Sequence, residues 1–378
     1  MTPFDVQLPG RIVFGRGKAE PTVRALASSY QKPLIIHGRD PGRAAWLVAL
    51  FPNAITTTCV HEPDVTDLQN ALHTARDMTV DAVIAIGGGS VLDLGKAVAG
   101  LARTTQPLET YLEVVGQGAP IDADPLPFIA IPTTSGTGAE ATRNAVIAVP
   151  THKRKVSIRD PRMLADLALV DPALTDHCPR ATTLASGLDA ITQLIEPYVS
   201  TRANPFTDAI VRQALEPALS AIRVLATREE RDARDAMAFA SHISGIALAH
   251  AGLGAVHGLA GVIGGITGAP HGEISATLLA PTLSVNRAAL KRENKPTSRL
   301  DETDDMLSRH FGDQNGADGF EKIGSWVRSV GIRPLSAMLK DAPDAAEIAD
   351  MARVSSSMKA NPVSLSTAEL TEIMQRES

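Results

Sequence analysis

The stretch DAVIAIGGGSVLDLGK, from Asp81 to Lys96, constrains the fold more than any other part of the chain. A continuous apolar run is the pattern of a strand covered on both faces, the three glycines permit a tight turn, and the amphipathic run behind them reads as a helix. The same succession recurs up to about residue 178, in PLIIHG then GRAAWLVALF, DAVIAIGGG then SVLDLGKAVAGLA, and LPFIAIPTT. Strand followed by helix, repeated, predicts a parallel sheet with helices on its faces. After ALVDPALTDHCP the texture changes to long helical periodicities such as TTLASGLDAITQLIEPYVS and FTDAIVRQALEPALSAIRVLA. No strand pattern follows, so the expected fold is an α/β N-terminal domain over residues 1–178 and an all-α C-terminal domain over residues 179–378. The charged stretch from Ala289 to Asp313, which contains Pro296, predicts an exposed connection or a short surface helix.

Composition narrows the function classes. A chain of 378 residues has room for about two domains with their own cores, and 44% hydrophobic with 21% charged residues is ordinary for a folded protein. Lys plus Arg (36) against Asp plus Glu (42) gives a net charge of −6, without the basic footprint of a nucleic-acid binder. Cys59 and Cys178 are too few for a disulfide framework and lack CxxC spacing, so a cytoplasmic location is expected. The N-terminal MTPFDVQLPGRIVFG carries an acid and prolines where an export signal has an apolar core. The segment from Ala236 to Gly272 lacks Asp, Glu, Lys and Arg and is long enough to cross a bilayer, but it holds four histidines and nine glycines. Intramembrane histidines are rare and dense glycine weakens an isolated span, so buried helices and a loop lining an interior site are expected, with no membrane partner.

Three features carry chemistry. Gly87, Gly88 and Gly89 stand at a strand-to-helix turn, with Ser90 able to cap the helix and Asp93 within its first turns. A helix N-terminus behind glycines offers free N–H groups and a positive dipole to a pyrophosphate; a tight connection alone is the plainer reading. A second loop, IPTTSGTGAE, sets Thr133, Thr134 and Thr137 among glycines after another apolar strand. Such density suits phosphate or ribose recognition, and equally an ordinary Ser/Thr/Gly turn. In the helical half Asp189 and Gln193 are four apart and share a helix face, while His257 lies inside the uncharged helical segment and His271 just past a Gly/Pro loop. A lone buried histidine is more often a satisfied core residue; two with a buried acid form the facial set of a divalent metal site.

Together these segments resemble the iron-containing (group III) alcohol dehydrogenase family, related to glycerol dehydrogenase, dehydroquinate synthase and maleylacetate reductase. The resemblance runs from FGRG through GGGSVLDLGKAVA, IPTTSGTGAEAT, LALVDPALT, GLDAITQLIEPYVSTRANPFTDAI, AGLGAVHGLAG and PHGE to SSSMKANPVSLSTAEL. It implies a dinucleotide-binding domain, a helical metal and substrate domain, and a cleft between them where NAD(P)H meets a metal-bound alcohol or carbonyl. Asp189, His257 and His271 fall on the metal pattern, whereas Gln193 stands where a histidine is usual and Gly261 where many members place another. An amide oxygen is a weaker ligand than imidazole, so Fe2+ or Zn2+ is expected to bind weakly. Lys155, in KVSI, matches a cofactor-contacting lysine, and is otherwise a solvated strand-edge residue.

The expected function is thus an NAD(P)-dependent oxidoreductase interconverting a small alcohol and its aldehyde, ketone or oxo acid, with His257, His271 and Lys155 as catalytic candidates. Two rivals are a metal-independent maleylacetate-type reductase, using Arg143 and Lys155 against an acidic substrate, and a nucleotide-binding protein whose active site has decayed. The segment LIIHGRD bears on the cofactor: an acid after the second strand holds a ribose 2′-hydroxyl and repels a 2′-phosphate. Gly38 and Arg39 occupy that place, so NADP(H) is expected to serve at least as well as NAD(H), Asp40 being the nearest acid. A homodimer acting on a small molecule completes the expectation.

Overall fold

The computed structural model describes residues 3–312, 316–340 and 342–376. They form two compact units, one of Gln7–Asp176 and one of Met1–Val6 with His177–Ser378.

The first unit is built on strands β1 (Arg11–Phe14), β2 (Leu34–His37), β3 (Ile55–Thr58), β4 (Val83–Gly87), β5 (Phe128–Pro132) and, after a hairpin of β6 (Asn144–Val149) and β7 (Arg154–Arg159), β8 (Leu167–Val170). Six of them pair in parallel in the order β1-β8-β5-β4-β2-β3; β6 and β7 pair antiparallel as a separate ribbon. The continuous apolar strands are covered on both faces. In β4, Val83 and Ala85 enter one core cluster and Ile84 and Ile86 the other. Helices α1 (Ala19–Leu26) and α2 (Ala45–Val48) cover the second face, α3 (Val65–Asp77) and α4 (Gly89–Leu101) the first. A Cβ on Gly95 would stand 2.6 Å from that of Ala85, so the glycine lets α4 press onto the sheet. The chain runs outward from β2 to β3 and returns to β4 on the other side of β2, so the order reverses between β2 and β4. Ligands of open α/β sheets bind outside the carboxyl ends of the strands at such a point. Gly38–Arg39 and Gly87–Ser90 leave from those two ends.

The second unit is helical: α5 (Arg180–Val199), α6 (Pro205–Leu225), α7 (Arg231–Ala251), α8 (Ala255–Thr267), α9 (His271–Arg292), α10 (Ser298–His310), α11 (Gly319–Ser329), α12 (Leu335–Met338), α13 (Ala345–Arg353) and α14 (Thr367–Gln375). Phe4 stacks on Phe206 at 6.1 Å, which brings the N-terminal stretch to this unit. Among the described residues no single helix is long and apolar enough to cross a membrane; the uncharged segment bends by 103° between α7 and α8, at Gly252 with φ +74°. The charged stretch from Ala289 is more regular than its composition suggests. Helix α9 continues to Arg292, and α10 buries Leu300, Thr303, Met306 and Leu307, so it is a packed helix and not a connection.

Candidate functional site

In the second unit Asp189 sits mid-way along α5, whose residues from Gly187 to Val199 are all buried. His257 lies in the first turn of α8 and His271 opens α9. The side chains converge: both Nε2 atoms face Asp189 Oδ1, His257 at 3.5 Å and His271 at 3.7 Å, and the two rings are 5.2 Å apart. One ligand atom from each lies within 4.8 Å of the others. Asp189 Oδ1 and His257 Nε2 are buried and make no hydrogen bond. Burial pushes the Asp189 carboxyl up, but the imidazoles of His271 and His257 outweigh it and hold it below its usual value. Burial pushes His257 down, and the carboxylates of Glu196 and Asp189 more than reverse this, raising it to about 10.

Glu196, two turns after Asp189 on α5, was not singled out from the sequence. It accepts from His257 Nδ1 at 2.6 Å and from Val256 N at 2.8 Å. The first bond fixes the ring so that Nε2 faces Asp189, the usual arrangement behind a metal-bound histidine. Helix α8 has no side-chain cap of its own; Glu196 takes one free N–H and Asn361, from the C-terminal segment, takes that of Ala255 at 3.0 Å. Asn361 also exchanges hydrogen bonds with Asn286 of α9. Gln193 gives its amide nitrogen to Asp189 Oδ2 at 3.2 Å and turns its oxygen to Ser244 at 3.1 Å. In this arrangement it offers the cluster an N–H and not the lone pair that ligation needs. A Cβ on Gly261 would meet nothing within 4 Å.

In the first unit α4 begins at the N-cap Gly88, with no side-chain cap. Ser90 is the second residue of the helix, which corrects the expectation that it caps it; the first N–H groups are left free. The two loops touch. Thr133 N donates to Gly87 O at 2.9 Å, and Cβ atoms on Gly88 and Gly89 would come 3.3 and 2.6 Å from the hydroxyls of Thr134 and Thr137. Asp93 accepts from Val146 N at 3.1 Å, and burial raises its carboxyl to about 6 despite Lys96. Lys155 is ion-paired with Glu62, and Arg143 donates to Gln7 at 2.8 Å. Both candidate cations for an acidic substrate are thus engaged. A Cβ on Gly38 would meet nothing within 4 Å, Arg39 donates to Val60 O at 3.3 Å, and Asp40 accepts from Gly42 N, closing its own turn.

Residues 9–172 match the family described as iron-containing alcohol dehydrogenase, and residues 183–378 the C-terminal part of the same family. The chain is 32% identical over 341 residues to alcohol dehydrogenase 4 of Schizosaccharomyces pombe, covering 86% of this chain and 78% of that protein. It is 35% identical over 228 residues to the NAD-dependent methanol dehydrogenase of Bacillus methanolicus, covering 60% and 57%. The crystal structure of a 1,3-propanediol oxidoreductase superposes over 100% of both chains with a TM-score of 0.85 at 26% identity.

Proposed function

The chain belongs to the iron-containing alcohol dehydrogenase family and is an oxidoreductase of alcohols and aldehydes; from that premise we propose that it interconverts a small alcohol and its aldehyde, ketone or oxo acid using NAD(P). The observation that carries this reading is the convergence of Asp189, His257 and His271 on one point with buried atoms left unbonded. One anionic and two imidazole donors, held by Glu196 from behind, fit a divalent cation such as Fe2+ or Zn2+. When bound, NAD(P)H supplies the hydride and the cation polarises the carbonyl. The chain's own part is positioning. The free N–H groups of α4 receive pyrophosphate charge, Gly88 and Gly89 keep side chains out of its way, and the hydroxyls of Thr133, Thr134 and Thr137 ring the approach.

A second reading has a specific observation behind it: Gln193 presents an N–H to Asp189. In a metal-free reductase the two imidazoles would instead hold a proton toward the substrate oxygen. The test is a nicotinamide absorbance assay with aldehydes and oxo acids, run with added Fe2+ or Zn2+ and with chelator. Turnover that needs metal supports the first reading, turnover unaffected by chelator the second, and turnover on no substrate overturns both.

The missing imidazole has a measurable consequence. Gln193→His places a third nitrogen on the helix face of Asp189, and metal retention after dialysis against a mild chelator should rise about tenfold or more. Elemental analysis of parent and variant checks it; equal retention would show that Gln193 already serves as well as histidine. For the cofactor we propose that NADP(H) serves at least as well as NAD(H), because Asp40 is committed to its own turn and Gly38 carries no acid. Gly38→Asp has open space for its carboxylate and should shift kcat/KM about tenfold or more toward NADH. An unchanged ratio of the two reduced cofactors would move the 2′ site elsewhere.

A further inference from the structure

Lys96 is wholly buried on α4, and nothing in the chemistry above uses it. Its ammonium donates to Ala139 O at 2.6 Å, to Thr142 Oγ1 at 2.7 Å and to Asn144 O at 2.9 Å, which satisfies all three N–H groups. Burial lowers it to about 8, with the carboxylates of Asp93 and Glu140 opposing. Those three acceptors follow directly on the loop of Thr133–Gly138: Ala139 and Thr142 lie in the turn that closes it, and Asn144 begins β6. One turn earlier on the same helix, Asp93 accepts from Val146 N of β6. A single face of α4 thereby pins the hydroxyl loop and the hairpin bearing Lys155 to the helix whose free N-terminus stands beside that loop.

A buried charge is a poor stabiliser, since a well-packed apolar residue often serves the fold as well or better. What an apolar residue lacks is the means to fix three polar groups at once. The loop needs such fixing: it contains Gly136 and Gly138, the latter at φ +59°, and Thr137 lies so close to Gly89 that small shifts change the space over the α4 N-terminus.

We propose that Lys96 is a positioning residue for dinucleotide binding, holding the Thr133–Gly138 loop in register with the N-terminus of α4. This rests on the cofactor reading above. It separates cofactor affinity from the Asp189 cluster, because Ala139, Thr142 and Asn144, which accept from Lys96, all belong to the first unit.

The experiment measures dissociation constants for NADH and NADPH by calorimetry in the parent, Lys96→Met and the milder Thr142→Val, with Tm, kcat at saturating cofactor and KM for an aldehyde. Lys96→Met should weaken the better cofactor about thirtyfold and Thr142→Val about fivefold, while kcat and the aldehyde KM stay within about threefold. A role confined to stability would lower Tm and leave the dissociation constants within twofold, which overturns the proposal. Should Lys96→Met fail to fold, Thr142→Val decides: unchanged affinity overturns it, weakened affinity with unchanged kcat supports it. If the parent binds neither cofactor, the cofactor reading itself falls and this inference with it, a result distinct from tight binding by parent and variants alike.

Discussion

Asp189→Asn is expected to lower kcat/KM for aldehyde reduction by about a thousandfold or more, roughly 4 kcal/mol of transition-state stabilisation. The substitution keeps the shape of the side chain and removes the one charge on which both imidazole Nε2 atoms converge. His257 keeps Glu196 as its partner, so the helices should stay in place and Tm should change little. Metal content should fall along with the rate. Elemental analysis, thermal unfolding and steady-state kinetics check the three parts together; a variant keeping more than a tenth of the parent activity with full metal would show that the charge of Asp189 is dispensable.

Gly272→Ala should cost both stability and rate. A Cβ there would lie 2.3 Å from Ala185 O and 2.7 Å from Ala185 C, which are backbone atoms of α5 and cannot swing aside. The start of α9 must therefore retreat by about 1 Å, carrying His271 away from Asp189, which sits on that same α5. Overpacking of this kind costs about 1–3 kcal/mol, and a 1 Å misplacement of an active group can cost about a hundredfold in rate. Gly261→Ala is the matched control, since its Cβ meets nothing within 4 Å. Its Tm should equal or exceed that of the parent, alanine being the better helix former. Equal Tm and kcat/KM for Gly272→Ala and the parent would show that α9 and α5 can part there without consequence.

Much of this was legible in the sequence because the signals were local. Continuous apolar runs marked β4 and β5, the first ending in glycines, and two histidines with a buried acid brought Asp189, His257 and His271 forward as a set, which the resemblance supported. The structure then puts the three within reach of one another. What escaped depends on three-dimensional neighbours. Glu196 looks like any acid near the end of a helix; its spacing of seven from Asp189, on the face of Gln193, was the available clue, but its partner is 61 residues away. Lys96 was one lysine in an apolar helix, and a charge amid SVLDLGKAVAGLA is a signal that the acceptors must lie elsewhere in the chain. Serine favours the cap position, which points to Ser90, whereas the observed N-cap is Gly88, two residues earlier, and no side chain caps that end. The stretch after Ala289 left a connection and a short surface helix both open, because what packs α10 in place is long-range: Arg299 pairs with Asp208, Glu302 with Arg212 and Asp304 with Arg287. Phe4 carries no periodicity that points to Phe206.

Asn361 gives the order of synthesis a bearing on the active site. Its bond to Ala255 N closes the first turn of the helix that carries His257, across 106 residues. A ribosome adding about 5–20 residues per second needs about 5 to 20 s to cover that distance. From the addition of His271 until residue 361 is reached, the growing chain holds all three convergent side chains and both glycine-hydroxyl loops, while the helix behind His257 still lacks one of its two anchors. A chain stalled or clipped before residue 361 would thus contain Asp189, His257 and His271 and yet hold them loosely. Retention of a divalent cation at the proposed site is thus expected to depend on the completed polypeptide, with truncated products losing it more readily.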